Sequence, residues 1–142
     1  MILPDVNVLI YAFRPGAPHH ELCRSWLTGT VGGEARFGLS PLALSALVRI
    51  TTELRFQEPS TLDEAFGFCN YLREQPNCQI VEPGARHWEV FARLCAETKT
   101  RGRRVTDAWY AALAIEWGCE WVTMDRDFAR FPGLRWSMPE KA

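Results

Sequence analysis

ILPDVNVLIYA, residues 2–12, is the stretch on which the fold turns: it is apolar almost throughout, and Asp5 and Asn7 are its polar members. A run of this kind, rich in Val, Ile, Leu and Tyr, reads as a strand covered on both faces. Asp5 then becomes a carboxylate inside a buried strand. Flanked by Leu3, Val6, Val8, Leu9 and Ile10, an ionised group loses several kcal/mol on burial unless it is paired or bound to a metal. The first strand therefore carries the first functional candidate.

Working outward, Arg14 to Pro18 carries Pro and Gly and makes a loop, and HHELCRSWL, residues 19–27, has Leu22, Trp26 and Leu27 at helical spacing. Gly29 to Gly38 reads as a connection with a short strand at ARFGL, residues 35–39. Ser40 and Pro41 supply an N-cap and a first-turn proline for a helix through LALSALVRITTEL, residues 42–54. Ser60 opens the next helix, with Asp63 and Glu64 in its first turn and Phe66, Cys69, Tyr71 and Leu72 on a buried stripe; Pro76 stops it. CQIVEP, residues 78–83, is a short strand candidate, and ARHWEVFARLCAETK, residues 85–99, a helix whose Trp88, Phe91, Leu94 and Cys95 recur at three- and four-residue steps. A basic turn, TRGRR, leads into VTDAWYAALAIEWG, residues 105–118, a helix with Thr106 as its N-cap and Gly118 at its end. The strand EWVTM, residues 120–124, runs into DRDF, and FPGLRW follows. Strands alternating with helices predict an α/β fold, a parallel sheet with helices on its faces.

Length and composition bound the rest. At 142 residues the chain reads as one domain, residues 1–142, large enough to bury roughly two thirds of its unfolded surface. With 47% hydrophobic and 23% charged residues it is a globular composition, which excludes disorder and collagen-like repeats. The 16 Lys and Arg against 17 Asp and Glu mean that affinity for a polyanion must come from a local patch. Cys23, Cys69, Cys78, Cys95 and Cys119 form no C-x-x-C pair, which argues against a disulfide framework and a thiolate zinc site and fits a reducing cytoplasm. No apolar run is long enough for a membrane span, so a soluble, unprocessed protein is expected.

The acids carry the chemistry. Asp5 lies in the first strand, Asp107 at the start of the late helix, and Asp125 and Asp127 at the end of the last strand, and in parallel sheets strand ends and helix starts meet on one face. Taken singly, Asp107 also reads as a helix-dipole partner, and Asp125 with Asp127 as an Asx turn. Gathered within about 5 Å, each pair would repel by roughly 3 kcal/mol at an effective dielectric of 20, so a cation must join them. Oxygen-only ligands select Mg²⁺ or Mn²⁺ over zinc. His19, His20 and His87 read as solvent-facing or packing residues. Such a centre suits phosphodiester hydrolysis, and Lys99, Arg101, Arg103 and Arg104, with Arg126 and Arg130, offer cations to hold a polyanion's backbone against it.

Three motifs together, LPDVNVLIYA, VTDAWYAALA and VTMDRDFARFPGLRW, resemble those of PIN-domain proteins, specifically the VapC-type toxins of bacterial toxin–antitoxin pairs. The resemblance spans nearly the whole chain. It implies a three-layer α/β/α fold with a mostly parallel sheet of four or five strands, and a Mg²⁺- or Mn²⁺-dependent endoribonuclease acting on transfer or ribosomal RNA. It also implies a homodimer and a cognate VapB-like antitoxin that inserts a segment into the acidic site. Residue by residue, Asp5, Asp107 and Asp125 match the family's metal-binding acids, with Asp127 auxiliary. Asn7 matches the small polar position beside the first acid, and Thr123 the hydroxyl position before the last. One family acid is missing: the glutamate a few residues after the Ser–Pro helix start is replaced by Ala46, and Glu53 lies too far along to substitute for it.

Two other readings remain at this level. A PIN-like module that binds RNA or an antitoxin without cutting is supported by Ala46 and opposed by the retained acids. A phosphohydrolase with Asp5 as covalent nucleophile lacks the second acid of a D-x-D start, because position 7 is Asn. Six tryptophans and eight phenylalanines are many for this length, and Trp26, Phe56 and Phe68 are candidates for a face packing on a second subunit or an antitoxin helix.

Overall fold

The computed structural model describes residues 1–55 and 58–141. Its centre is a sheet of five strands, β1 (Ile2–Pro4), β2 (Phe37–Leu39), β3 (Cys78–Ile80), β4 (Glu120–Val122) and β5 (Trp136–Ser137), in the order β3-β2-β1-β4-β5. Every pairing is parallel, as the alternation of elements predicts. The helices are α1 (Val6–Phe13), α2 (His20–Val31), α3 (Pro41–Thr51), α4 (Leu62–Arg73), α5 (His87–Thr98) and α6 (Val105–Trp117). Successive side chains of β1 point to opposite faces: Ile2 packs with the core beneath α1 to α4, and Leu3 with the core beneath α5 and α6. The sheet is thus the middle of three layers, the expected α/β/α arrangement.

The opening stretch is the main correction. Only Ile2–Pro4 is strand; Asp5 is extended, with φ −69° and ψ 154°, and the chain then winds into α1. A helix covered on most sides is as apolar as a buried strand, so periodicity alone does not separate them. The separating signal is Asp5, an N-cap residue type, followed by a buried face of Val8, Leu9 and Ala12 at helical steps. Asp5 consequently stands at a strand-to-helix junction, not within a strand.

Other boundaries shift for local reasons. Ser40 caps α3 as expected, accepting a hydrogen bond from the Ala43 amide, but the helix ends at Thr51, which leaves Glu53 beyond it. Thr61, not Ser60, caps α4 through a reciprocal pair with Glu64, while the Ser60 hydroxyl accepts from Arg14. The inward face of α4 is Ala65, Cys69 and Leu72; Phe66 and Tyr71 face solvent. On α5 the inward residues are His87, Val90 and Leu94, and Trp88 is exposed. Thr106 does not cap α6, because Gly102, with φ 68°, starts a 3-10 turn through Arg104 that runs straight into the helix. Trp26 and Phe68 pack on this chain's own core, with Phe68 stacked on Phe13 at 4.7 Å, and Phe56 lies outside the described residues. Among the described residues no helix is long and apolar enough to cross a membrane.

Candidate active site

In the strand order β3-β2-β1-β4-β5 the chain leaves β1 towards β2 and returns on its other side at β4. A parallel sheet opens a crevice at such a switch point, beyond the carboxyl ends of the strands. Asp5 follows β1 directly and Thr123 follows β4, and the Asp5 amide donates to the Val122 carbonyl at 2.8 Å, which ties the two ends together.

Thr123 is the hub of what forms there. Its hydroxyl donates to Asp5 Oδ2 at 2.7 Å and accepts from the Asp125 amide at 2.9 Å and from Asn7 Nδ2 at 3.4 Å. A hydroxyl has one hydrogen and two lone pairs, so Thr123 is fully used. Asn7 is engaged at both ends of its amide, since its Oδ1 accepts from the Met124 amide at 3.3 Å. The small polar residue beside the first acid therefore braces the end of β4.

Asp5 is 5% exposed. Burial raises its pKa to about 6 from the usual 3.8; the Thr123 hydroxyl and the Val6 and Asn7 amides act against that rise, and the charge of Asp107 adds to it. No ion pair with Asp5 forms among the described residues. Asp107, in the first turn of α6, is also raised, by burial and by Asp125, with Arg130 and Arg104 pulling it down. Asp5 and Asp107 thus feel each other's charge, and Asp107 also feels that of Asp125. Asp127 is not drawn in: it is exposed and pairs with Arg104 at 3.2 Å. The DRD turn is an Asx turn, Asp125 Oδ1 accepting from the Asp127 amide at 2.9 Å, and the charge of Asp125 also acts on Asp107.

Among the described residues no three His, Cys, Asp or Glu side chains stand close enough to form a metal-binding group. The donor chemistry nonetheless fits a hard cation: the groups are oxygen-only, and the innermost carboxylate is buried with no cationic partner among the described residues. Ala46, where the resemblance expects a glutamate, is half-buried on α3 between Ala43, which belongs to the same core cluster as Leu3, Ala108 and Tyr110, and Ile50, which lines a cavity with Asn7. The face of α3 that adjoins the site presents a methyl group there.

Arg101, Arg103 and Arg104 are exposed on the turn before α6, on the approach to Asp107. His87 is a packing residue between Phe91 and Trp109, and His20 bonds the Tyr11 carbonyl. Two further residues lie near the acids without having stood out in the sequence. Tyr110, buried and stacked on Trp121 at 5.2 Å, is raised by burial and by the charges of Asp5 and Asp107, with Arg49 opposing. Its position does carry a signal, because it lies three residues after Asp107 on one helix face. Arg49 carries none beyond being a cation on α3.

The PIN domain family model matches residues 2–134. Ribonuclease VapC25 of Mycobacterium tuberculosis is 36% identical over 140 residues, which cover 98% of this chain and 99% of that protein. Ribonuclease VapC33 of the same species is equally similar, at 36% over 98% of each chain. Among solved structures, VapBC2 from Rickettsia felis bound to a promoter DNA fragment superposes with a TM-score of 0.75 at 17% identity, covering 99% of this chain and 100% of that one. Mycobacterium tuberculosis VapC20, described as a sarcin-ricin loop cleaving toxin, gives 0.71 at 14%, covering 95% and 99%. At such identities these structures speak for the fold alone, whereas the family match and the full-length relatives place the sequence itself: the chain belongs to the PIN domain family, among its VapC proteins.

Proposed function

We propose that this chain is a Mg²⁺- or Mn²⁺-dependent endoribonuclease, the toxin of a type II toxin–antitoxin pair. The observation that carries the reading is the buried Asp5 carboxylate at the β1/β4 switch point, which has no ion pair among the described residues and feels the charge of Asp107, itself acted on by Asp125. Asp5, Asp107 and Asp125 would hold the ion, while Asp127 stays with Arg104. When bound, the ion polarises a phosphoryl oxygen and lowers the pKa of its water. Thr123 and Asn7 hold the Asp5 carboxylate and the DRD turn in register, and Arg101, Arg103 and Arg104 hold the RNA backbone. The names of the full-length relatives support a ribonuclease; transfer or ribosomal RNA in the cytoplasm is the substrate that the family resemblance implies.

A VapB-like antitoxin fits a groove of about 770 Å³ between α3 and α4, lined by Leu44, Val48, Phe66 and Ile80 with Arg49 and Arg73. Several solved relatives in fold are VapBC complexes, which supports that partner, and a homodimer completes the assembly. The test incubates purified protein with total RNA and Mg²⁺, with and without chelator, beside Asp5→Asn. Cleavage that needs the metal and disappears in the variant supports the proposal. Binding of RNA without any cleavage selects the second reading, a non-cutting module, which the methyl group at Ala46 favours.

A further inference from the structure

Arg130 closes a 3-10 turn, Arg126–Arg130, that follows Asp125. Three neighbours hold its guanidinium. The head lies over the Phe131 ring at 4.4 Å, Nη1 donates to the Asp127 carbonyl at 3.2 Å, and Nη2 stands 3.6 Å from Asp107 Oδ2. That last separation is an ion pair but too long for a hydrogen bond, and Nη2 is buried with no hydrogen-bond partner among the described residues. Arg104 instead reaches the exposed Asp127, more than half of each side chain being open to solvent. Arg130 is therefore the cation aimed at the acids, anchored on two sides by its own chain and unsatisfied on the third.

A carboxylate that ligates a divalent ion has far less negative charge left for a guanidinium beside it, and the ion itself repels that guanidinium. If Asp107 holds a metal, as the proposed function has it, Nη2 loses its counter-charge while remaining in a place where a cation needs an anion. The reaction itself brings one, since a phosphodiester offers two oxygens to a planar fork. We propose that Arg130 is a substrate-contacting residue: it neutralises Asp107 in the unloaded protein and passes to the RNA phosphate when a divalent ion takes Asp107. The Phe131 face and the Asp127 carbonyl keep the head in place, so the exchange is one of partners more than of position. The inference rests on the metal-site reading above, and its test separates the two.

Such a residue has opposite effects on the two ligands, which a merely structural arginine would not. Mn²⁺ binding to the RNA-free protein is followed by calorimetry, and binding of a labelled single-stranded RNA by anisotropy with Ca²⁺ in place of Mn²⁺. Arg130→Met removes the competitor for Asp107, so Mn²⁺ binds about threefold or more tighter, while RNA affinity falls about tenfold with loss of one bidentate contact and the salt slope drops by about 1. Arg130→Lys keeps a charge over Phe131 but loses the fork, so its Mn²⁺ affinity stays near wild type and RNA affinity falls about threefold. If wild type binds Mn²⁺ and the Met variant binds it no more tightly, the proposal is overturned and the metal site stands. If wild type binds no Mn²⁺, the metal site falls and this inference with it. Should the Met variant fail to fold, wild-type RNA affinity in the Lys variant overturns the proposal.

Discussion

Asp5→Asn is expected to stabilise the metal-free protein while abolishing the proposed chemistry. Burial lifts the Asp5 pKa from 3.8 to about 6, and each tenfold change in proton affinity corresponds to about 1.36 kcal/mol, so ionising this group in the folded protein costs about 3 kcal/mol. The folded state binds the proton more tightly than the unfolded state does. Wild-type stability is therefore greatest below pH 4 on this account and is lost as pH rises through 6. Asparagine carries no charge and keeps an oxygen for the Thr123 hydroxyl, but its amide nitrogen faces N–H donors at the start of α1, which returns about 1 kcal/mol. The net gain at pH 7.5 is about 2 kcal/mol, a rise in Tm of roughly 5–10 °C for a chain of this size, and it vanishes at pH 4. The assay is thermal unfolding of both proteins in chelator at the two pH values, then in Mn²⁺. Saturating Mn²⁺ at 100 times its Kd adds about 2.7 kcal/mol to wild type alone. An asparagine variant no more stable than wild type at pH 7.5, or equally favoured at both pH values, would refute the reasoning.

Thr123→Val, which strips three hydrogen bonds from Asp5, Asp125 and Asn7, is expected to cost about 1–3 kcal/mol in denaturant unfolding and to lower cleavage at least tenfold; Thr123→Ser restores most of both. Replacing Arg101, Arg103 and Arg104 together by alanine leaves Tm within a few degrees, since all three are exposed, but reduces the salt slope of RNA binding by about 2–3, read by anisotropy across a salt series. Ala46→Glu supplies a carboxylate at the family's position; Mn²⁺ affinity measured by calorimetry is expected to rise about tenfold, with faster cleavage, because a further charged oxygen ligand joins the site. Gly38→Ala sets a Cβ 2.7 Å from Val81 Cγ2 and 3.1 Å from Leu3 Cδ1, an overpacking worth about 1–3 kcal/mol in a chemical unfolding curve.

By itself the sequence determined the alternation of helices and strands between residues 19 and 124, the parallel α/β class, the Ser40 cap, the Gly118 stop and the acidic candidates, but neither α1 nor β5. These depend on local spacing and on residue types with fixed backbone preferences, so they are readable without a third dimension. It did not separate Ile2–Pro4 from the helix that follows, because a helix wrapped by neighbours and a strand wrapped by neighbours bury the same residues. Nor did it tell which aromatics face inward: Phe66, Tyr71 and Trp88 are exposed while Trp26 and Phe68 are packed, since helical spacing defines a stripe but not the neighbour that covers it. Only the tertiary structure decided that Thr123, which also holds Asp125, reaches Asp5 across 118 residues of sequence separation, that Asp127 turns to Arg104, and that Arg130 turns to Asp107. Those pairings follow from where β1 and β4 end side by side. Electrostatic partners are chosen by distance in space, and no spacing along the chain encodes that distance.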